Sequence, residues 1–226
     1  MANLKEIRTR IASVSSTRQI TSAMKMVSAA KLRKAQDAIT LLRPYADKMS
    51  EILGTLSASI SDEDNPLAAK REVNHVLIVA ITSNRGLCGT FNTNVIKGAL
   101  QVAYEKFPRQ LENGTLKILT IGRKGNDFFV KKNYRLHEGN YNHLLDASNF
   151  ETTVPVVQMI MDEFLNKTYD HVEIVYNQFK NAAVQIPVSE QFLPIEKITV
   201  KPERISRAVV HDYIFEPSKE YRDATK

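Results

Sequence analysis

The stretch H-V-L-I-V-A-I-T-S-N-R-G-L-C-G-T-F-N, residues 75–92, carries the fold in miniature. Its first eight residues are almost continuously apolar and rich in β-branched side chains. That is the pattern of a strand buried on both faces, as in a parallel sheet. A turn with two glycines occupies 83–89, and the spacing beyond it predicts a helix from Phe91 to about Phe107. Strand, glycine turn and helix form the opening unit of an α/β domain.

Reading forward, 116–121 is a second strand and 124–130 a short helical or loop segment. Residues 134–137 are read as a further strand and 154–166 as the next helix. Residues 171–179 and 183–194 read as two strands joined at 180–182, hence a hairpin. The alternation in 209–215 marks a last strand ahead of Pro217. Strands alternating with helices predict a doubly wound α/β body over 73–217, reached through a linker at 61–72 whose S-D-E-D-N-P run is turn-like.

Reading backward, the period changes. No Gly occurs before Gly54, and Pro44 is the only Pro before residue 66. Leu4, Ile7, Ile11 and Val14 are spaced three and four apart, and so are Leu32, Ala35, Ile39, Leu42, Ala46, Met49, Leu53, Leu56 and Ile60. Both runs share one heptad frame, the seam of a coiled coil. Between them the frame is polar (Arg18, Thr21, Lys25, Ser28), and the apolar positions move to Ile20, Met24 and Val27. A helix from 4 to 60 would run to about 85 Å at ~1.5 Å per residue, far beyond a compact domain. Pro44 is expected to kink it or remove one hydrogen bond. The large apolar residues on the seam represent on the order of 15–30 kcal/mol of burial, which the helix realises only against a partner.

The whole chain has 226 residues, 43% of them apolar, with 31 Lys+Arg against 25 Asp+Glu. That balance excludes disorder and collagen-like architecture. A single Cys excludes an internal disulfide framework, no Cys/His spacing resembles a zinc site, and no apolar run is long enough to span a membrane. The net charge of +6 is not spread evenly. Residues 1–36 hold eight cations against Glu6 alone, a net of +7, which leaves −1 for the remaining 190 residues. A transit peptide would not share a helical phase with the mature domain, as this segment does. A DNA-reading basic zipper would present polar and small residues where Ile7, Ile11, Val14, Ile20, Met24 and Val27 stand. A helix that contacts an acidic protein fits best, and a nucleic-acid-binding basic helix is the alternative.

The glycine turn raises nucleotide binding, a Rossmann-type enzyme being the other alternative. A dinucleotide site requires G-x-G-x-x-G and an acid at the end of the second strand. Here only Gly86 and Gly89 are present, the second strand ends in Gly122-Arg123-Lys124, and no Gly-Lys-Ser/Thr occurs. Cys88 lacks the Arg six positions on that a phosphatase nucleophile requires, because position 94 is Asn; it is read as a half-buried structural thiol. The five histidines (75, 137, 143, 171 and 211) are dispersed and are read as strand-end or surface residues. No catalytic constellation, cofactor motif or metal site emerges.

Four segments are more specific. Residues 5–36 (K-E-I-R-T-R-I-A-S-V-S-S-T-R-Q-I-T-S-A-M-K-M-V-S-A-A-K-L-R-K-A-Q) closely resemble the N-terminal helix of the gamma subunit of F-type ATP synthases. So do S-N-R-G-L-C-G-T-F-N (83–92), I-G-R-K-G (121–125) and Y-N-Q-F-K-N-A (176–182), and the resemblance runs in order over 1–219. It implies a central rotor shaft without an active site of its own, built from a coiled coil of two long helices and a Rossmann-like α/β foot. The implied partners are the alpha and beta subunits of the catalytic hexamer, the epsilon subunit and the membrane c-ring, with no nucleic acid and no small-molecule substrate. By resemblance Met24, Lys25, Lys31, Arg33 and Lys34 lie at or near the acidic lever of the catalytic subunit, and Arg85 joins the same basic belt.

The resemblance also predicts a long C-terminal helix beyond Glu216-Pro217-Ser218, where only the tail 218–226 follows and does not resemble that region. The seam of 1–60 is therefore expected to lack an intramolecular partner, through truncation, frameshift or supply of the second helix by another chain. The motif beginning at Lys5 leaves no room for an organellar leader, and the regulatory Cys pair of chloroplast members is absent. The expected setting is a bacterial complex, peripheral to the cytoplasmic side of the inner membrane.

Overall fold

The computed structural model of the chain describes residues 3–59, 65–146, 149–182 and 184–195. They fall into two units, one ending at Ser57 and the other beginning at Ala58.

Among the described residues the first unit is formed by one helix, α1 (Leu4–Ser59), 56 residues long, whose last two residues fall in the second unit. Its Ala, Leu, Met, Lys, Arg and Gln residues lose little side-chain freedom in a helix. Four threonines that would otherwise compete for the backbone (Thr9, Thr17, Thr21 and Thr40) turn their hydroxyls onto the carbonyl four residues back, at 2.8–3.0 Å. Pro44 does not break α1, which stays continuous through it. Among the described seam residues most are exposed, Ile11 at 64% and Leu42 at 61%, while Ile39 is half-buried.

The second unit is a four-stranded sheet in the order β2-β1-β3-β4. β1 (Val76–Ile81) pairs in parallel with β2 (Leu116–Ile121) and with β3 (His171–Phe179), while β4 (Gln185–Leu193) runs antiparallel to β3 as the hairpin partner. Alternation along β1 sends Val76, Ile78 and Ala80 to one face. There they pack on Val95, Ala99, Val102 and Ala103 of α2 (Phe91–Glu105) and on Phe129 of α4 (Arg123–Lys131). Leu77 and Val79 face the other way, onto Val156, Ile160 and Phe164 of α5 (Phe150–Leu165). Both faces of β1 are covered, hence its unbroken apolar run. A Cβ on Gly98 would stand 3.1 Å from Val175 Cγ1, so this glycine lets α2 close on β3.

Several elements differ from the sequence reading. Residues 134–137 make only a single parallel bridge, Ile118 to Leu136, because the chain leaves α4 through Asn133 (φ 58°) and turns again at Gly139 (φ 111°). A separate helix, α3 (Pro108–Asn113), follows α2, with Pro108 opening it and Gly114 (φ 68°) closing it. Residues Asn142–Leu145 form a turn of 3-10 helix. α5 starts four residues before the expected 154 because Asn149 and Thr152 form a capping box there. The strand expected at 209–215 and the tail 218–226 lie outside the described residues.

Candidate functional site

Met24, Lys25, Lys31, Arg33 and Lys34 all lie on α1 and are exposed. At about 100° per residue, Met24, Lys31 and Lys34 share one side of the helix, Lys25 stands about 100° away and Arg33 roughly opposite. The group is thus a collar around the helix and not a stripe. Among the described residues none of these four cations is in an ion pair, whereas Arg10, nearer the helix start, is held by Glu6 at 3.0 Å. Met24, Met26 and Val27 stand between them, 57–69% exposed. Cations and exposed apolar side chains on one rod can meet an acidic, partly apolar surface without a pocket that must open and close.

Arg85 belongs to the other unit, on the turn after β1, and is exposed. Asn92, in the first turn of α2, organises that turn. Its Oδ1 accepts from Ser83 N at 2.9 Å, and its Nδ2 donates to Ser83 Oγ at 3.0 Å and to Cys88 Sγ at 3.1 Å. Ser83 Oγ in turn donates to Arg85 O at 2.6 Å. The result is a closed polar loop that presents Leu87 outward, fully exposed at φ 61°. Cys88 is exposed, not half-buried as expected, because the glycines let the turn stand proud of the sheet.

The neighbouring turn after β2 has no backbone donors left for a phosphate. Gly122 N donates to Asn142 Oδ1, Arg123 N to Asn84 Oδ1, Lys124 N to Ser83 O and Gly125 N to Thr82 Oγ1, all at 2.9–3.1 Å. The amides at the start of α4, the groups that would cradle an anion, are capped by side chains and by the adjacent turn.

Of the histidines read as strand-end or surface residues, two are paired with glutamates. His137 is half-buried, its Nε2 3.0 Å from Glu163 Oε1. His171 does open β3, but it is buried and 2.9 Å from Glu173 Oε2. Glu173 itself, 1% exposed, escaped the sequence reading. It accepts from His171 Nε2, Lys106 Nζ and Ser189 Oγ. Burial works against its ionisation, but these hydrogen bonds and the Lys106 charge outweigh it and hold the carboxyl down to about 2. The available signal was an acid in the middle of a buried strand. Two of its partners, Lys106 and Ser189, are far off in sequence and could not be foreseen.

Among the described residues no helix is long and apolar enough to cross a membrane. A family model described as ATP synthase matches residues 3–224. The chain is 51% identical over 221 residues to the ATP synthase gamma chain of Flavobacterium johnsoniae, covering 97% of this chain and 73% of that one. It is 52% identical to that of Flavobacterium psychrophilum, with the same coverage, and 44% identical over 219 residues to that of Chlorobium phaeobacteroides. In fold it is similar to a chain of the Euglena gracilis mitochondrial ATP synthase rotor (TM-score 0.54, 23% identity, 96% of this chain and 73% of that one). It is likewise similar to one from the Tetrahymena thermophila mitochondrial ATP synthase central stalk and c-ring (TM-score 0.54, 22% identity, 91% and 85%). With a family model along nearly its whole length and relatives at half identity, the chain belongs to the ATP synthase gamma chain family.

Proposed function

We propose that this chain is the central-stalk rotor subunit of an F-type ATP synthase. It couples proton flow through the membrane c-ring to ATP synthesis and hydrolysis in the hexamer of alpha and beta subunits. In this reading it catalyses nothing itself: it holds no cofactor and acts by position. The observation that carries it is α1, a 56-residue helix with exposed apolar seam residues and a collar of cations that pair with no acid among the described residues. Such a helix has little use alone and much use inside a ring of protein. The α/β body is the foot, with the epsilon subunit and the c-ring as partners. Family membership and the central-stalk likeness in fold support this assignment. The complex sits at the membrane, and we place this subunit on the cytoplasmic side of a bacterial inner membrane.

Met24, Lys25, Lys31, Arg33 and Lys34 form the surface that meets the acidic lever of the catalytic subunit, and Arg85 extends it from the body. Exposed charge pairs contribute about 0.2–1 kcal/mol each. Weak, long-range attraction of this kind suits a surface that must pass three equivalent partners in turn. The test is reconstitution with a purified alpha–beta hexamer, which should bind the chain and hydrolyse ATP with rotation of the shaft. Binding of NAD(P) or ATP to the isolated chain at micromolar affinity, or tight salt-dependent duplex DNA binding without hexamer association, would overturn the reading.

A further inference from the structure

The chain leaves α1 at Ser59 and enters β1 at Val76. The described part of this connection, 65–75, has no helix or strand of its own, yet it is fixed to the body at three places. Leu67 O accepts from Ile195 N at 2.9 Å, beyond the end of β4. Val73 O accepts from Gln110 Nε2 of α3 at 2.7 Å.

The third attachment is the densest. Arg71 Nη2 donates to Phe164 O at 2.7 Å and to Tyr169 O at 2.5 Å, and its guanidinium carbon lies 4.3 Å from the centre of the Phe164 ring. Arg71 Nε is 2.7 Å from Asp170 Oδ1, a charge contact whose N–H is out of line for a hydrogen bond. Asp170 Oδ2 in turn accepts from Asn74 N at 3.0 Å and His75 N at 2.9 Å, and Asp170 N donates to His75 O at 2.8 Å. One Arg–Asp pair, its Asp170 buried and its Arg71 partly so, thus grips the connection from both sides, immediately before β1 joins the sheet. Burial opposes ionisation of Asp170, but the two backbone donors and Arg71 prevail and keep it below the usual carboxylate range.

Local packing does not demand so much at a connection. Charge-assisted bonds are about twice as strong as neutral ones. Here they are placed where tension carried along the backbone from α1 would otherwise peel the segment back onto the first rungs of the sheet. We propose that the Arg71–Asp170 clamp is the anchor through which torque borne by α1 enters the foot. Both are positioning residues, and the inference rests on the rotor reading above.

The experiment uses the assembled complex in proteoliposomes and measures protons pumped per ATP hydrolysed against an opposing gradient, together with the melting temperature. Arg71→Lys keeps the charge but replaces the planar fork, whose Nη2 reaches the two carbonyls while Nε faces the carboxylate and the plane lies over Phe164, with a single point charge. Asp170→Asn keeps the shape and loses the charge. Each should lower the pumping ratio under load by roughly half or more, through local opening of 65–75, while hydrolysis without a gradient stays near wild type. Glu173→Gln is the control: it disturbs a buried charge cluster on the same sheet whose carboxylate touches neither Arg71 nor Asp170. It should lower the melting temperature and leave the ratio unchanged. A wild-type ratio in Arg71→Lys and Asp170→Asn, or an equal loss of ratio in Glu173→Gln, overturns the anchor alone. A wild-type complex whose hydrolysis pumps no protons overturns the rotor reading beneath it.

Discussion

His171 and Glu173 sit two residues apart on one strand, on the same face of the sheet, with His171 Nε2 2.9 Å from Glu173 Oε2. The carboxylate is also held by Lys106 from the end of α2 and by Ser189 from β4. This knot joins three elements at a point where the apolar core alone would leave a charge unmet.

Because the folded Glu173 titrates near 2 against an ordinary 4.5, its ionised form stabilises the fold fully above about pH 4.5. That contribution, on the order of 3 kcal/mol, is lost as pH falls from there toward 2. Urea denaturation between about pH 6 and pH 3 should show this acid limb in the wild type and a flatter one in Glu173→Gln. At neutral pH the variant should be less stable by about 2 kcal/mol, since the half-exposed Lys106 can turn to water. Equal pH profiles for the two proteins would contradict the assignment.

The turn glycines should differ in tolerance. Gly122 has φ 113°, and a Cβ there would collide with Thr82 O, a backbone atom that cannot step aside. Gly122→Ala should cost about 3 kcal/mol or more, read as a fall in melting temperature. Gly86 meets nothing nearer than Lys124 Cε at 3.8 Å, so Gly86→Ala should stay within ~0.5 kcal/mol of wild type.

Reversing Lys31 and Lys34 to Glu together should weaken association with an alpha–beta hexamer roughly tenfold at low salt. The difference should shrink toward nothing near 1 M salt, where screening acts within ~3 Å. Far-ultraviolet circular dichroism should be unchanged, because both side chains are exposed on α1. Sedimentation or surface binding across a salt series provides the measurement.

Cys88 is exposed on its turn and accepts a hydrogen bond from Asn92 Nδ2. A thiol reagent should modify it stoichiometrically in the native chain without denaturant. Protection until unfolding would show instead that the turn folds onto the thiol.

The open seam of α1 should make the isolated chain associate with itself. Leu42, 61% exposed, and Met49, 41% exposed, are central to it. Replacing both with Glu should shift the chain toward monomer in sedimentation, while a wild type that remains monomeric at high concentration would contradict the prediction.

Legibility followed the range of the interactions. α1 was readable almost to its ends because heptad spacing is local and nothing in the segment breaks it, Pro44 included. β2 and β3 were found at their true bounds because β-branched and aromatic residues recur along them and turn residues flank them. The bridge at Leu136, the separate α3 and the early start of α5 were missed. Each hangs on one turn residue or cap, such as Asn133, Pro108 or Asn149, whose effect depends on what the chain does next.

By itself, then, the sequence determined a long two-faced helix, a parallel α/β body and a charge confined to the helix, since all three are written in spacing and composition. The tertiary structure alone decided that Glu173 is ionised inside the sheet, that Arg71 locks onto Asp170 across the fold, and that side chains from distant turns cap the start of α4. The physical reason is separation along the chain. A buried charge or a spent donor is settled by partners tens of residues away, and no local period reports where those partners will be.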